Sequence, residues 1–409
     1  MRLGVLDIGS NTVHLLLVDA HVGAKPEAFA SHKRPLSLVR HLDPEGAITR
    51  AGQDELIGFI DEAARFAARH RAEDLLSFCT SAIREATNGD EVLARVAAET
   101  DVELMELTGA QESAMTFFAA RRWRGWSAGH ILNFDIGGGS FEMAYGQDEL
   151  PSTAMSVPLG AGRLTRDWLT EDPPTKEQIK ALKTYVREEI AAARLEFPML
   201  NSHTEVLATS KTFRSLARMT GAAPSASGPY VRRTLAHKDL KPLVKRLGQM
   251  SATERAELPG VSVVRARQVF AGALVAEAAM KTFGIDELQI CPWALREGLI
   301  LRRWTPGAGA RRGGRPRARG GPCGPRPRAE AADAPRRRGD SSGGRTCPPL
   351  SRASRWRCPR PRSTPSGRLR ASPWRPISAT TAWRSWSPTG PRRSRPTCST
   401  SCPGASGCR

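Results

Sequence analysis

Two short segments carry the residues best suited to chemistry, and each repeats the other. An apolar run over residues 3–8 includes Asp7 and gives way to Gly9-Ser10-Asn11-Thr12. A second run over 131–136 includes Asp135 and gives way to Gly137-Gly138-Gly139-Ser140. A turn between two strands exposes successive backbone N–H groups, and glycine lets an anion approach them without meeting a Cβ atom. Ser10 and Asn11 add side-chain donors, although asparagine in a turn commonly serves only its own backbone. One such turn reads as an ordinary hairpin. Two copies, about 128 residues apart, suit a duplicated domain with a phosphate site between the copies. Asp7 and Asp135 would then face each other across a cleft. One or two carboxylates plus substrate oxygens are the usual ligands of Mg²⁺, or of another hard divalent cation such as Mn²⁺. The strand–turn–helix phosphate loop with its lysine is absent, and so is GxGxxG.

The elements that must hold these turns are strands and helices in alternation. Runs 3–8 and 13–18 read as two strands joined by the first turn. Residues 53–69 place Leu56, Ile60, Ala63, Ala64 and Ala67 on one helical face. A strand over 75–80, a helix over 90–99, a short strand over 103–107 and a helix over 110–122 complete a first lobe. The second lobe opens with strands 131–136 and 141–145. Thr175-x-x-Gln178 predicts a capping box for a helix running to about residue 197. Strand 206–208 leads into Thr209-Ser210-Lys211-Thr212 and a helix that Gly221 can end. One long helix is expected over 264–283, followed by strand 287–291 and a last helix over 293–304. This alternation predicts an α/β layer architecture in two domains, residues 1–124 and 125–304.

Residues 305–409 are written in a different language. They hold 24 of the 61 basic residues, all arginine, and 3 of the 41 acidic ones, leaving 37 basic against 38 acidic residues before them. The formal charge of +20 therefore belongs to this segment, and the rest of the chain is not a cationic nucleic-acid binder. With no Lys, Asn, Gln, His, Tyr, Phe, Met or Val, the segment lacks the side chains that offset chain entropy and is expected to be a disordered Arg/Pro/Gly-rich tail. Its composition is that of an out-of-frame reading of GC-rich coding sequence. The alternative is a cationic arm that tethers nucleic acid or polyphosphate. Only Cys79 and Cys291 precede the tail, too few for a disulfide framework or a zinc site. Asp7 interrupts the first apolar run, so no signal peptide is read, and no stretch suits a membrane span. A soluble, cytoplasmic protein is expected.

Five motifs in order carry a resemblance: Asp7-Ile8-Gly9-Ser10-Asn11-Thr12-Val13-His14-Leu15-Leu16, Thr80-Ser81-Ala82-Ile83-Arg84-Glu85-Ala86, Gly109-x-x-Glu112, Asp135-Ile136-Gly137-Gly138-Gly139-Ser140-Phe141-Glu142 and Ala294-Leu295-Arg296-Glu297-Gly298. Over about residues 1–303 the chain resembles the exopolyphosphatase / guanosine pentaphosphate phosphohydrolase (Ppx/GppA) family, within the sugar kinase–actin–chaperone ATPase superfamily. The resemblance implies two ribonuclease-H-like domains with an interlobe cleft and a metal-dependent exophosphatase activity. It implies that Glu112 positions or deprotonates the attacking water, since phosphoryl transfer depends mainly on orienting the nucleophile and neutralising charge. Asp135 and Glu142 match an essential acidic pair linked to the metal. Arg84 matches a phosphate-contacting arginine, a role its fixed fork of donors suits; pairing with Glu85 is the alternative. His14, Arg296 and Glu297 read as structural.

The catalytic set expected from this reading is Glu112, Asp135 and Glu142. The metal set is Asp7, Asp135 and Glu142, and the phosphate set is Gly9, Ser10, Asn11, Arg84, Gly137, Gly138, Gly139, Ser140 and Lys211. Two positions depart from the family pattern. Gln111 stands where a second acid often precedes the glutamate, and Ala208-Thr209-Ser210-Lys211-Thr212 replaces a glycine-rich loop that approaches a nucleoside in relatives. Lys211 is unfavourable at a helix N-terminus, which favours its binding a polyanion. The expected substrate is inorganic polyphosphate, with the guanosine pentaphosphate pppGpp as the alternative and a catalytically weak phosphate or alarmone sensor as a third reading. A homodimer is implied by the resemblance alone.

Overall fold

The computed structural model describes residues 1–304, so the tail expected over 305–409 lies outside the described residues. Two sheets organise the chain. The first contains β1 (Arg2–Ile8), β2 (Val13–Asp19), β3 (Ala28–Arg34), β4 (Asp74–Cys79) and β5 (Met105–Glu106), in the order β3-β2-β1-β4-β5. The second contains β6 (Ile131–Ile136), β7 (Phe141–Gly146), β8 (Thr153–Val157), β9 (Glu205–Ala208), β10 (Thr234–Ala236) and β11 (Glu287–Ile290), in the order β10-β11-β9-β6-β7-β8. In each sheet three strands form an antiparallel meander whose first strand is extended by parallel strands, β4 then β5 in one sheet and β9 then β11 in the other, with β10 antiparallel to β11 at the edge. Apart from the edge strand β10, the second sheet repeats the first. This is the duplication that the two glycine turns announced.

The duplication reaches single residues. Asp7 pairs with His14 across the first hairpin, and Asp135 pairs with Glu142 across the second. Both turns close through the same bond, from Gly9 N to Thr12 O at 3.1 Å and from Gly137 N to Ser140 O at 2.9 Å.

Each sheet buries its apolar face beneath helices. Leu6, Ile8, Val13 and Leu15 pack against Leu56, Phe59 and Ile60 of the helix Arg50–Arg69. Phe134, Phe141 and Met143 pack against Phe270, Leu274 and Phe283 of the helix Val269–Phe283. Two further helices fill the space where the sheets meet. Gly109–Arg124 contributes Ala114 and Met115 to a cluster with Leu3 and Val5, and Phe117 and Ala120 to a cluster with Ile131 and Ala144. The last helix, Leu295–Trp304, returns to the first sheet through Leu299 and Ile300, and a side chain on Gly298 would collide with the Met115 carbonyl.

The predicted helix over 264–283 is not continuous. It breaks into Val263–Ala266 and Val269–Phe283, with Arg267 and Gln268 at the junction. No glycine or proline marks this break, so apolar periodicity alone ran through it. The capping box at Thr175 and Gln178 is present, and its helix ends at Arg194. Cys79 and Cys291 are buried, which pushes both thiols up to about 12. No helix of the described residues is long and apolar enough to cross a membrane.

Candidate active site

The two hairpin turns meet directly. A Cβ atom on Gly138 would lie 2.5 Å from Asn11 Nδ2 and 2.8 Å from Ser10 Cβ, and one on Gly139 would lie 2.5 Å from Ser81 Oγ. The missing side chains of these glycines therefore let the lobes touch, in addition to baring the backbone. Ser10 Oγ and Ser81 Oγ are 3.1 Å apart, which ties the first turn to the end of β4. Behind the second turn, Gly160 packs against the Gly139–Ser140 peptide too closely for any Cβ. The carbonyls of Gly137, Gly138 and Gly139 are occupied by Ala161 N, Arg163 N and Arg163 Nε. Arg163 also pairs with Glu85 of the first lobe. The backbone N–H groups of Ser10, Asn11, Gly138 and Gly139 donate no hydrogen bond among the described residues. Four unused donors in two abutting turns are suited to an anion.

Four carboxylates gather at this junction. Glu112 lies in the first turn of the helix Gly109–Arg124, where the helix dipole favours a negative charge. Arg84 Nη1 donates to Glu112 Oε2 at 3.2 Å and to the Leu107 carbonyl at 2.8 Å, and Arg84 also pairs with Glu85. The pairing of Arg84 with Glu85 is thus present, beside its bond to Glu112. Burial pushes Glu112 up to about 7, opposed by Arg84 and reinforced by Asp135 and Asp7. Burial pushes Asp7 up to about 6, against Arg296 and with Glu297 and Asp135. Burial also raises Asp135, which the Thr209 hydroxyl at 2.6 Å, Arg214 and Arg265 counteract. Glu142, 2 % exposed, is raised well above the carboxylate range by burial and by Glu112 and Asp135, despite hydrogen bonds from Ser140 and Ser156. Mutual repulsion in a buried setting is the chemistry of a donor set that a cation relieves. Among the described residues no group of three or more His, Cys, Asp or Glu is arranged to hold a metal alone. The set therefore fits a cation held by one or two carboxylates together with substrate oxygens.

Gln111 has a structural explanation. Its backbone N–H donates to Thr108 Oγ1 and its side-chain carbonyl accepts from Thr108 N, a complete capping box that fixes the turn carrying Glu112. The site therefore contains one glutamate at this helix start, and its neighbour holds the backbone.

Sequence reasoning found one lysine where the structure assembles a basic cluster. Lys211 starts the helix Lys211–Met219, capped by Ser210, and shares its surroundings with Arg214, Arg265 and Lys33. Burial, and then mutual repulsion, pull Lys33, Lys211, Arg214 and Arg265 below their ordinary values, with Asp135 opposing this at Arg214 and Arg265. None of these four forms an ion pair among the described residues, and the buried Nε of Arg214 has no hydrogen-bond partner there. Arg296 joins the group from the last helix. It lies 3.8 Å from Asp7 Oδ2 and contacts His14 Nδ1, and burial with Arg296 and Lys33 nearby lowers His14 to about 3. The neutral form of His14 is thereby favoured. These cations come from residues 33, 211, 214, 265 and 296. Only the i, i+3 spacing of Lys211 and Arg214 is visible in sequence.

The comparisons agree on one family. The profile of the Ppx/GppA phosphatase family matches residues 17–305. Exopolyphosphatase 1 of Mycobacterium tuberculosis (strain ATCC 25618 / H37Rv) is 54% identical over 303 residues, which is 74% of this chain and 88% of that protein. The crystal structure of an exopolyphosphatase from Cytophaga hutchinsonii superposes with a TM-score of 0.66 at 23% identity, covering 75% of this chain and 99% of that one. The Aquifex aeolicus member of the Ppx/GppA family gives 0.62 at 24% identity, covering 74% and 97%. At these identities the two structures speak for the fold.

Proposed function

The chain belongs to the Ppx/GppA phosphatase family, and from that premise we propose that it hydrolyses the terminal phosphate of inorganic polyphosphate, using a hard divalent cation, with residues 1–124 and 125–304 as its two lobes. The observation that carries this reading is a basic cluster, of which Lys33, Lys211, Arg214 and Arg265 form no ion pair among the described residues, beside four crowded carboxylates. A repeating polyanion and a divalent cation together satisfy both halves.

In this reading the terminal phosphate rests on the N–H groups of Ser10, Asn11, Gly138 and Gly139. The basic side chains hold the phosphates behind it. Glu112, near 7, is poised to accept a proton from water at neutral pH. As water oxygen bonds to the terminal phosphorus, the bridging P–O bond breaks and the shortened chain leaves with its oxygen. The water proton passes to Glu112, and orthophosphate is released. One or two of Asp7, Asp135 and Glu142, together with substrate oxygens, would hold the cation, which when bound neutralises charge on the phosphate oxygens. Arg84 aims Glu112 and stabilises its charged form.

Polyphosphate is favoured over pppGpp because Lys211 stands in the loop that would otherwise approach a nucleoside, and its neighbours are cations. The test is phosphate release by the full chain from long-chain polyphosphate and from pppGpp, each with Mg²⁺. Faster release from polyphosphate is expected; release from pppGpp alone would assign the alternative substrate. Tight binding of either without release would make the chain a sensor.

A further inference from the structure

Gln268 occupies the break between the helices Val263–Ala266 and Val269–Phe283, and there it reaches the opposite lobe. Its Nε2 donates to Asn11 Oδ1 at 2.9 Å, although the two residues are 257 positions apart in the chain. The backbone on both sides is fixed: Gln268 N donates to the Arg265 carbonyl, and the Gln268 carbonyl accepts from Gly272 N. The side-chain amide lies against Gly162, where a Cβ atom would stand 3.3 Å from Nε2. Glycine at 162 therefore leaves the room that Gln268 uses to cross.

A primary amide has one accepting end and one donating end, so occupying the first decides where the second points. Asn11 is 4 % exposed and its carbonyl accepts from Ser37 N at 3.1 Å, so its backbone is anchored as well. With Oδ1 held by Gln268, Nδ2 is turned toward the second turn, 2.5 Å from where a Gly138 Cβ would stand. No hydrogen bond of Asn11 Nδ2 is formed among the described residues. It is a donor that keeps some access to solvent, beside four backbone N–H groups that donate no hydrogen bond among the described residues. A ligand with acceptor oxygens at the two turns would find this donor free to bind it.

We infer that Gln268 is a positioning residue, which orients the amide of Asn11 so that its N–H₂ group, and not its oxygen, faces the phosphate at the two turns. This rests on the reading of the turns as the phosphate site. An acceptor-only side chain at 268 would reverse the arrangement. A carboxylate there accepts from Asn11 Nδ2, which rotates the amide and presents Oδ1 to the phosphate, a repulsive contact.

The test is a double-mutant cycle in the full-length protein, with Gln268→Glu, Gln268→Ala, Asn11→Ala and Asn11→Ala/Gln268→Glu. Each is assayed for phosphate release from polyphosphate with Mg²⁺, for calorimetric binding of tripolyphosphate, and for thermal midpoint. Gln268→Glu is expected to raise KM by about tenfold or more while kcat stays within about threefold, and Gln268→Ala to have a smaller effect in the same direction. In the Asn11→Ala background, Gln268→Glu should add less than about threefold, because the group it misdirects is gone. Thermal midpoints of all variants should remain close to that of the wild type. Equal losses from Gln268→Glu with and without Asn11 would make the effect plain charge repulsion and overturn the inference, as would an unchanged KM. A wild-type chain that neither bound tripolyphosphate nor cleaved polyphosphate would overturn the functional reading, and this inference with it. An active wild type with additive variants would overturn this inference alone.

Discussion

Arg84 donates to Glu112 at 3.2 Å, joining the loop after β4 to the first turn of the helix Gly109–Arg124. The arginine lowers the proton affinity of a glutamate that burial has raised to about 7. Replacing Arg84 with Ala should therefore move the rising limb of the kcat–pH profile to higher pH, by roughly one unit. Arg84→Lys should restore part of the shift. A profile of Arg84→Ala that overlays the wild type would show that Glu112 is not the titrating base.

Stability should depend on pH in the sense opposite to an ordinary ion-paired acid. Asp7 rises from 3.8 to about 6 and Glu112 from 4.5 to about 7 on folding, so the folded chain binds protons more tightly than the unfolded one. Their contribution is fully present below about pH 4 and is lost as pH rises through 6 and 7. Asp7→Asn should accordingly stabilise the protein at pH 8 by on the order of 1–3 kcal/mol and do little at pH 4. Thermal melts of both proteins at the two pH values measure the difference.

A divalent cation should act on the same groups. If one or two of Asp7, Asp135 and Glu142 hold it, binding requires their charged forms, so Mg²⁺ should raise the thermal midpoint more at pH 8 than at pH 5 and release protons. Calorimetric titration in two buffers of different ionisation enthalpy counts those protons. Equal midpoint shifts at both pH values would place the ion elsewhere.

Arg214 is a half-buried cation whose buried Nε has no hydrogen-bond partner among the described residues. Removing a charge that has no ion-pair partner and is crowded by other cations is commonly neutral or stabilising for the fold, whereas removing a ligand contact weakens binding. Arg214→Met should keep or raise the thermal midpoint while raising KM for long-chain polyphosphate by about tenfold, with a weaker salt dependence. A fall in stability with KM unchanged would mark Arg214 as a structural residue.

The sequence is informative about this site where the residues involved are close in the chain. Asp7 with its turn and Asp135 with its turn are visible because each follows an apolar run and precedes another, and the register of the two hairpins follows from the same alternation. The strand β3 was not anticipated, since Ala-Phe-Ala-Ser-His-Lys-Arg lies at a sheet edge with much of its surface exposed and has too weak a pattern. The basic cluster was missed for a different reason. Lys33, Arg265 and Arg296 are brought beside Arg214 only by tertiary folding, and no local spacing records it. Gln111 shows the converse: read against a family pattern it was a missing acid, while its hydrogen bonds to Thr108 make it a helix cap. Gln268 was concealed inside a helix that local pattern made continuous.

The most direct measurement is the rate of orthophosphate release from polyphosphate by the full chain and by Glu112→Gln, with substrate binding followed alongside. If Glu112 takes the proton from water, the variant should bind polyphosphate as the wild type does and release phosphate about 10²–10⁴ times more slowly. Turnover by Glu112→Gln within a few-fold of the wild type would contradict the account.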